Sequence, residues 1–226
     1  MILLEILKTF RHEYKYVIPY GEMLKIRSKL DEVLTLDQGK PYFVRSMYFD
    51  SPDDEDYYDK QGGEMIRKKL RLRIYDVNSD KAKIEIKNKY DYHQLKESLV
   101  INKNVANKII NGDYGDLLLM DNDLAKKIYV LLQSGYRPKV IIEYLRAAYI
   151  TNTTTRITFD YNIKKSHNFE KFYTNDINYF DITNPGEVVL EVKFDRFLEP
   201  YIGKILEKYT NRYQSVSKYV MGRNDY

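Results

Sequence analysis

The sequence predicts an α+β fold: an eight-stranded, mostly antiparallel β-barrel forming a tunnel with a polar, charged lumen, flanked by helices. Three observations lead there. Roughly eight runs along the chain alternate apolar and polar residues with a period of two, separated by turn residues. One of them, Ile66 to Lys89, is a hairpin around Asp76-Val77-Asn78-Ser79-Asp80 that puts Lys69, Arg71, Arg73, Lys83, Glu85, Lys87 and Lys89 on one face and Leu70, Leu72, Ile74, Ile84 and Ile86 on the other. Finally, Glu-x-Lys recurs on three separate strands, as Glu13-Tyr14-Lys15, Glu85-Ile86-Lys87 and Glu191-Val192-Lys193.

Taken in order, Phe10 to Ile18 alternates as a strand and stops at Pro19. Gly21 to Leu36 reads as a helix, with Met23, Ile26, Leu30, Val33 and Leu34 near helical spacing. Tyr42 to Asp50 is a second strand, ended by Ser51-Pro52. Asp53 to Lys60 reads as an acidic, solvated loop or short helix before Gly62-Gly63. After the hairpin, Leu95 to Asn102 is a strand, and Val105 to Ile110 and Leu124 to Ser134 are helices, the second closed by Gly135. Val140 to Ile150 and Thr155 to Ile163 are long strands joined by a turn over Thr151 to Thr154. Asn178 to Ile182 and Val188 to Phe194 complete the strands, and Pro200 to Tyr209 and Ser215 to Met221 read as C-terminal helices. No repeat or linker interrupts the chain, so residues 1–226 are expected to form a single domain.

Composition bounds the chemistry. There is no Cys among the 226 residues, which excludes disulfides, thiolate catalysis and Cys-based zinc sites. Net charge is only +4, so nucleic acid is not an expected partner and any basic patch must come from arrangement rather than excess. The apolar start MILLEILKTF contains Glu5 and is too short for a signal core, and no run approaches the roughly 20 apolar residues that span a bilayer. His12, His93 and His167 are scattered without zinc-site spacing. No P-loop motif is present, and Ser215 and Ser217 have no neighbouring His.

The charged faces admit two readings. Most charged faces of antiparallel strands are wet outer surface. Alternatively the faces converge. Lys15, Arg71, Arg73, Lys87, Arg146, Arg156, Lys193 and Lys218 would then meet Glu13, Glu85 and Glu191 in a lumen suited to a polyanion and a metal on carboxylate oxygens. The apolar faces would point outward beneath the amphipathic helices.

The order RHEYKYVI, VRSMYFDSP, RKKLRLRIY, KIEIKNK, VIIEYLRAAY, TRITFD, EVVLEVKFD and QSVSKYVMG, from Phe10 to Gly222, resembles the VTC domain. This is the catalytic domain of vacuolar transporter chaperone polyphosphate polymerases, within the triphosphate tunnel metalloenzymes. The resemblance implies phosphate-holding, catalytic roles for Lys15, Arg71, Arg73, Lys87, Arg146, Arg156 and Lys218. It matches Tyr144 to a tunnel tyrosine, sets Ser217 in a C-terminal Ser-Lys pair and implies a metal-holding role for Glu191 with Mn²⁺ or Mg²⁺; with Glu13, Glu85 and Lys193 of the converging faces, Tyr144 and Ser217 are the expected substrate-binding residues. The implied partners are ATP and inorganic polyphosphate. The implied setting is cytoplasmic, at the inner face of a membrane where a separate membrane partner holds it there. The regulatory and membrane domains of eukaryotic members are not expected in this stretch. The sister triphosphatase and cyclase branch opens with Glu-x-Glu-x-Lys, whereas this chain has Arg11-His12-Glu13-Tyr14-Lys15. Arg11 in place of the first Glu favours the polymerase branch over a tunnel triphosphatase; a non-catalytic polyphosphate sensor is a third reading.

Overall fold

The computed structural model describes residues 11–90, 93–151, 155–209 and 213–224. The expectations for Met1 to Phe10 and for most of the Thr151 to Thr154 turn lie outside the described residues. In chain order the strands are β1 (Arg11–Pro19), β2 (Tyr42–Asp50), β3 (Ile66–Arg67), β4 (Leu70–Ile74), β5 (Lys81–Tyr90), β6 (His93–Asn102), β7 (Arg137–Ile150), β8 (Arg156–Ser166), β9 (Phe180–Asp181) and β10 (Glu187–Asp195). The helices are α1 (Tyr20–Asp31), α2 (Glu55–Gly62), α3 (Lys103–Ile110), α4 (Gly115–Leu118), α5 (Asp123–Gln133), α6 (Pro200–Leu206) and α7 (Lys218–Arg223). No helix among the described residues is long and apolar enough to cross a membrane.

Contacts group the described residues into two compact units. Among the described residues one draws on 11–42, Arg146–Tyr161 and Pro185–Val216, the other on Phe43–Leu145, Asn162–Asn184 and 217–224. In the first unit the strand order is β1-β10-β8-β7. In the second it is β7-β2-β4-β5-β3, with β6 also on β5 and β9 on β8. The α+β class is as expected. There are ten strands rather than eight, and the ladder of neither unit closes on itself among the described residues, so "barrel" describes it loosely.

In the second unit the apolar face of the hairpin is covered as the sequence required. Leu70, Leu72 and Ile74 of β4 and Ala82, Ile84 and Ile86 of β5 share one buried cluster with Val105, Ala106 and Ile109 of α3 and Ala125, Ile128 and Leu132 of α5. Each fully buried Leu or Ile contributes about 1.5–3 kcal/mol. Asn102 and Asn122 start these two helices by accepting the amides of Val105 and Ala125, worth about 1 kcal/mol each. In the first unit α1 ends at Asp31, five residues before the expected Leu36. Leu36 instead bridges Tyr149, and the Asp37 amide donates to the Ala148 carbonyl at 2.8 Å, so pairing with β7 takes these residues out of the helix. Helix α7 starts later than expected, because Ser217 is its N-cap.

The acidic stretch after β2 takes the second of its two expected forms, the short helix α2, rather than a solvated loop. Asp50 and Asp56 are fully buried. Asp50 accepts the amides of Ser51, Asp56 and Tyr57 and the phenol of Tyr219, which fixes the start of α2. Asp56 Oδ1 accepts the Tyr136 phenol at 3.0 Å, while its Oδ2 is buried without a partner. Burial first, then the neighbouring Asp50, push the Asp56 carboxyl from 3.8 up to about 7. A raised acid pKa means that the folded state binds the extra proton. The carboxyl therefore costs no stability below pH 3.8, and its cost grows as pH rises toward 7. Asp56→Asn is expected to raise Tm at pH 8 and change it little at pH 4. Melting curves of both proteins across that range provide the check; a parallel pair of pH profiles would contradict the assignment.

Candidate functional site

In the second unit the register of β2, β4 and β5 puts Tyr48 opposite Arg71 and Arg71 opposite Glu85, with Ser46 opposite Arg73. Period-two alternation then aims all five side chains to one side. Arg71 Nε donates to Glu85 Oε2 at 2.6 Å, and Glu85 also accepts Ser98 Oγ at 3.0 Å and pairs with Lys96 at 2.6 Å. Arg73 Nε donates to Ser46 Oγ at 2.8 Å and its Nη2 to the Tyr144 hydroxyl at 3.4 Å. Lys69 and Lys87 exchange both main-chain hydrogen bonds, so they stand side by side on the same face. The Lys69 ammonium reaches Ser217 Oγ at 2.9 Å, and that of Lys218 lies 5.0 Å from the Tyr144 ring centroid.

The wet-surface reading fails here. Arg73 is 6%, Glu85 1%, Tyr48 6% and Tyr144 3% exposed. Burial also pushes the Glu85 carboxyl up, but Arg71, Lys96 and Arg73 bring it down to about 2, so it remains an anion and holds Arg71 in place. Burial raises the Tyr48 phenol too; Arg71, Arg73 and Lys218 outweigh burial, and its pKa is lowered. That lowering has its cause in the positive charges of Arg71, Arg73 and Lys218 gathered around the phenol. An anion brought to this face meets donors already desolvated and in place.

In the first unit, β1, β10 and β8 build a second charged face. The register sets Glu13 opposite Lys193, Lys15 opposite Glu191, and Glu191 opposite Thr158. Lys15 Nζ lies 2.8 Å from Glu13 and 3.9 Å from Glu191, and donates to the Val216 carbonyl at 3.3 Å. Lys193 pairs with Glu191. Arg146 forks onto the buried Asp160 with bonds of 2.6 and 2.7 Å. Arg156 donates to Asp37 at 2.9 Å and to the Tyr42 hydroxyl at 3.1 Å. The structure thus gathers Arg71, Arg73, Glu85, Tyr144, Ser217 and Lys218 on one face, with Lys87 beside Lys69, and Glu13, Lys15, Glu191 and Lys193 on another. Sequence reasoning placed Lys69 on the basic face but missed Tyr48, Lys96, Asp37 and the Arg146–Asp160 pair, which only pairing between elements brings together.

No described group of three or more His, Asp and Glu side chains could hold a metal without help. Glu191 and Glu13, joined through Lys15, are the two carboxylates available, and the Thr158 hydroxyl opposite Glu191 is buried without a partner. Mg²⁺ and Mn²⁺ typically take one or two carboxylates together with substrate phosphates and water. The donor set fits such a shared ion and does not fit one held by protein alone.

In each unit antiparallel strands carry charged side chains on one alternation, and in the second unit helices cover the apolar one. The chain belongs to the VTC domain family, whose model matches residues 10–225. Among solved structures it is similar to a Hippeastrum protein described as a candidate adenylyl cyclase with dominant triphosphatase activity (TM-score 0.56, 14% identity, 93% of this chain and 94% of that one). It is similar also to candidate adenylate cyclases from Vibrio parahaemolyticus (TM-score 0.53, 12% identity, 94% and 97%) and Bacillus halodurans (TM-score 0.52, 13% identity, 89% and 90%). At these identities the likeness is one of fold. No curated protein matches the chain.

Proposed function

We propose that this chain is an ATP-dependent polyphosphate polymerase. The observation that carries the reading is the cluster of buried Arg73, Tyr48 and Tyr144 with half-buried Arg71 and Lys218, in a chain of the VTC domain family. In the reaction, a terminal oxygen of the polyphosphate bonds to the γ-phosphorus of ATP. The bond from that phosphorus to the β–γ bridging oxygen breaks, and ADP leaves with the electron pair. Little covalent chemistry is asked of the protein. Arg71 and Arg73 orient and neutralise phosphate oxygens, and Tyr144 and Lys218 complete the cradle. On the other charged face, arriving phosphate draws Lys15 and Lys193 away from Glu191, leaving its carboxylate able to hold Mn²⁺ or Mg²⁺ with Glu13. When bound, the ion neutralises charge on phosphate oxygens.

A second reading, a triphosphatase that transfers to water, is favoured by the activity described for the Hippeastrum neighbour. Arg11 in place of the first Glu of that branch is the reason for preferring transfer to phosphate. Purified protein with ATP and Mn²⁺ is expected to place phosphate chiefly in chains visible on a stained gel. Orthophosphate released as fast as ADP, with no chains, would leave the triphosphatase. Independently of direction, inorganic triphosphate at about 100 times its Kd is expected to stabilise the fold by about 2.7 kcal/mol. A melting curve insensitive to saturating triphosphate would exclude both enzymes.

A further inference from the structure

We infer that Asp54 is a positioning residue, which anchors α7 so that Lys218 and Ser217 stand in the cation cluster; the inference rests on the reading of that cluster as a phosphate site. Helix α7 has six residues, too few to hold a conformation by itself, so its placement comes from its anchors. At its far end the Arg223 guanidinium forks onto Asp54, with bonds of 2.8 and 2.7 Å, and Lys139 sits 2.8 Å from the same carboxylate. In the middle, Tyr219 donates to Asp50 and its ring stacks on Tyr48 at 5.2 Å. Gly222 lets the helix lie against β7: a Cβ there would come within 2.3 Å of Ile142 Cδ1 and 3.3 Å of Val140 Cγ2. At the near end Ser217 accepts from Lys69, and Lys218 lies over Tyr144. Five residues separate Lys218 from Arg223, about 7.5 Å of helix, so a shift at the Asp54 anchor is passed to the ammonium.

The backbone of Asp54 supports a purpose beyond solvation. It sits at the N-cap of α2 with φ 59° and ψ 36°, a left-handed conformation uncommon for a residue with a side chain. Its side chain does not cap α2; it is turned to Arg223 and Lys139 instead. Asn tolerates the same backbone, so Asp54→Asn removes the anchor charge with little added strain.

The test measures binding of inorganic triphosphate by titration calorimetry. Asp54→Asn is expected to weaken binding about tenfold, as is Arg223→Gln, and Lys218→Ala by at least as much. The discriminating readout is the double variant. If Asp54 acts through Lys218, then Asp54→Asn/Lys218→Ala binds no worse than Lys218→Ala alone, and the same holds when Arg223→Gln replaces Asp54→Asn. A purely structural role would multiply the two losses. Multiplied losses, or wild-type binding by Asp54→Asn, overturn the inference while leaving the phosphate site intact. Wild-type binding by Lys218→Ala removes the phosphate role of Lys218, and with it the reason to position it.

Discussion

Arg73→Met is expected to weaken triphosphate binding by roughly 10- to 100-fold while leaving Tm unchanged or higher. Arg73 is 6% exposed, yet its hydrogen-bond partners are the neutral hydroxyls of Ser46 and Tyr144, and it forms no ion pair among the described residues. A buried guanidinium held this way is costly in the unliganded fold. Its justification is an anion that arrives later, to which two charge-assisted bonds are worth about 1.5–3 kcal/mol each before losses. Met has similar volume and no charge, so the fold keeps its packing and sheds the desolvation cost. Arg71→Met makes the contrast. Arg71 donates through Nε to Glu85, and removing it leaves a buried carboxylate with Lys96 and Ser98. That variant is expected to lose binding and also about 2–3 kcal/mol of stability, at or below the low end for a broken buried pair, because Lys96 remains. Calorimetric binding beside chemical denaturation separates the two. Equal binding by Arg73→Met and the wild type would remove the anion site.

The difference between these two arginines was not legible in the sequence, although their shared face was. Alternation along Leu70–Ile74 and Lys81–Tyr90 is a local property, dictated by strand geometry, and it placed Arg71, Arg73, Glu85 and Lys87 together with the apolar face turned to the helices. Which carboxylate neutralises which cation depends on how strands and loops pair, not on alternation along any one of them. Arg146 meets Asp160, and Arg156 reaches Asp37 only because residues 35–37 leave α1 to pair beside β7. Tyr48 was hidden for the same reason: β2 became part of the face through its ladder with β4. The acidic run after β2 misled, since composition reports charge and not burial. Asp50 and Asp56 are fully buried, Asp50 accepting from main-chain amides and the Tyr219 phenol and Asp56 from the Tyr136 phenol.

Glu191→Gln is expected to abolish Mn²⁺-dependent turnover while sparing triphosphate binding without metal. In the resting protein Glu191 is the counter-ion of Lys193 and, at 3.9 Å, of Lys15. A carboxylate repels phosphate, so its presence on a face proposed to bind phosphate requires either a structural or a metal-holding purpose. The structural purpose is small. Lys15 keeps Glu13 at 2.8 Å, and Lys193 is 30% exposed and can be hydrated, so the substitution should change stability by no more than about 1 kcal/mol. With the charge gone, both lysines are released toward phosphate, and metal-free affinity should hold or rise. Metal-dependent turnover, by contrast, loses the anchor of an ion worth several kcal/mol of transition-state stabilisation, a fall of roughly 10²–10³-fold or more. Mn²⁺ affinity, read by electron paramagnetic resonance in the presence of triphosphate, should fall in parallel. A Glu191→Gln protein with wild-type turnover and wild-type Mn²⁺ affinity would strip Glu191 of the metal role. Loss of metal-free triphosphate binding in the same variant would show instead that the Glu191–Lys15–Lys193 pairing shapes the phosphate site itself.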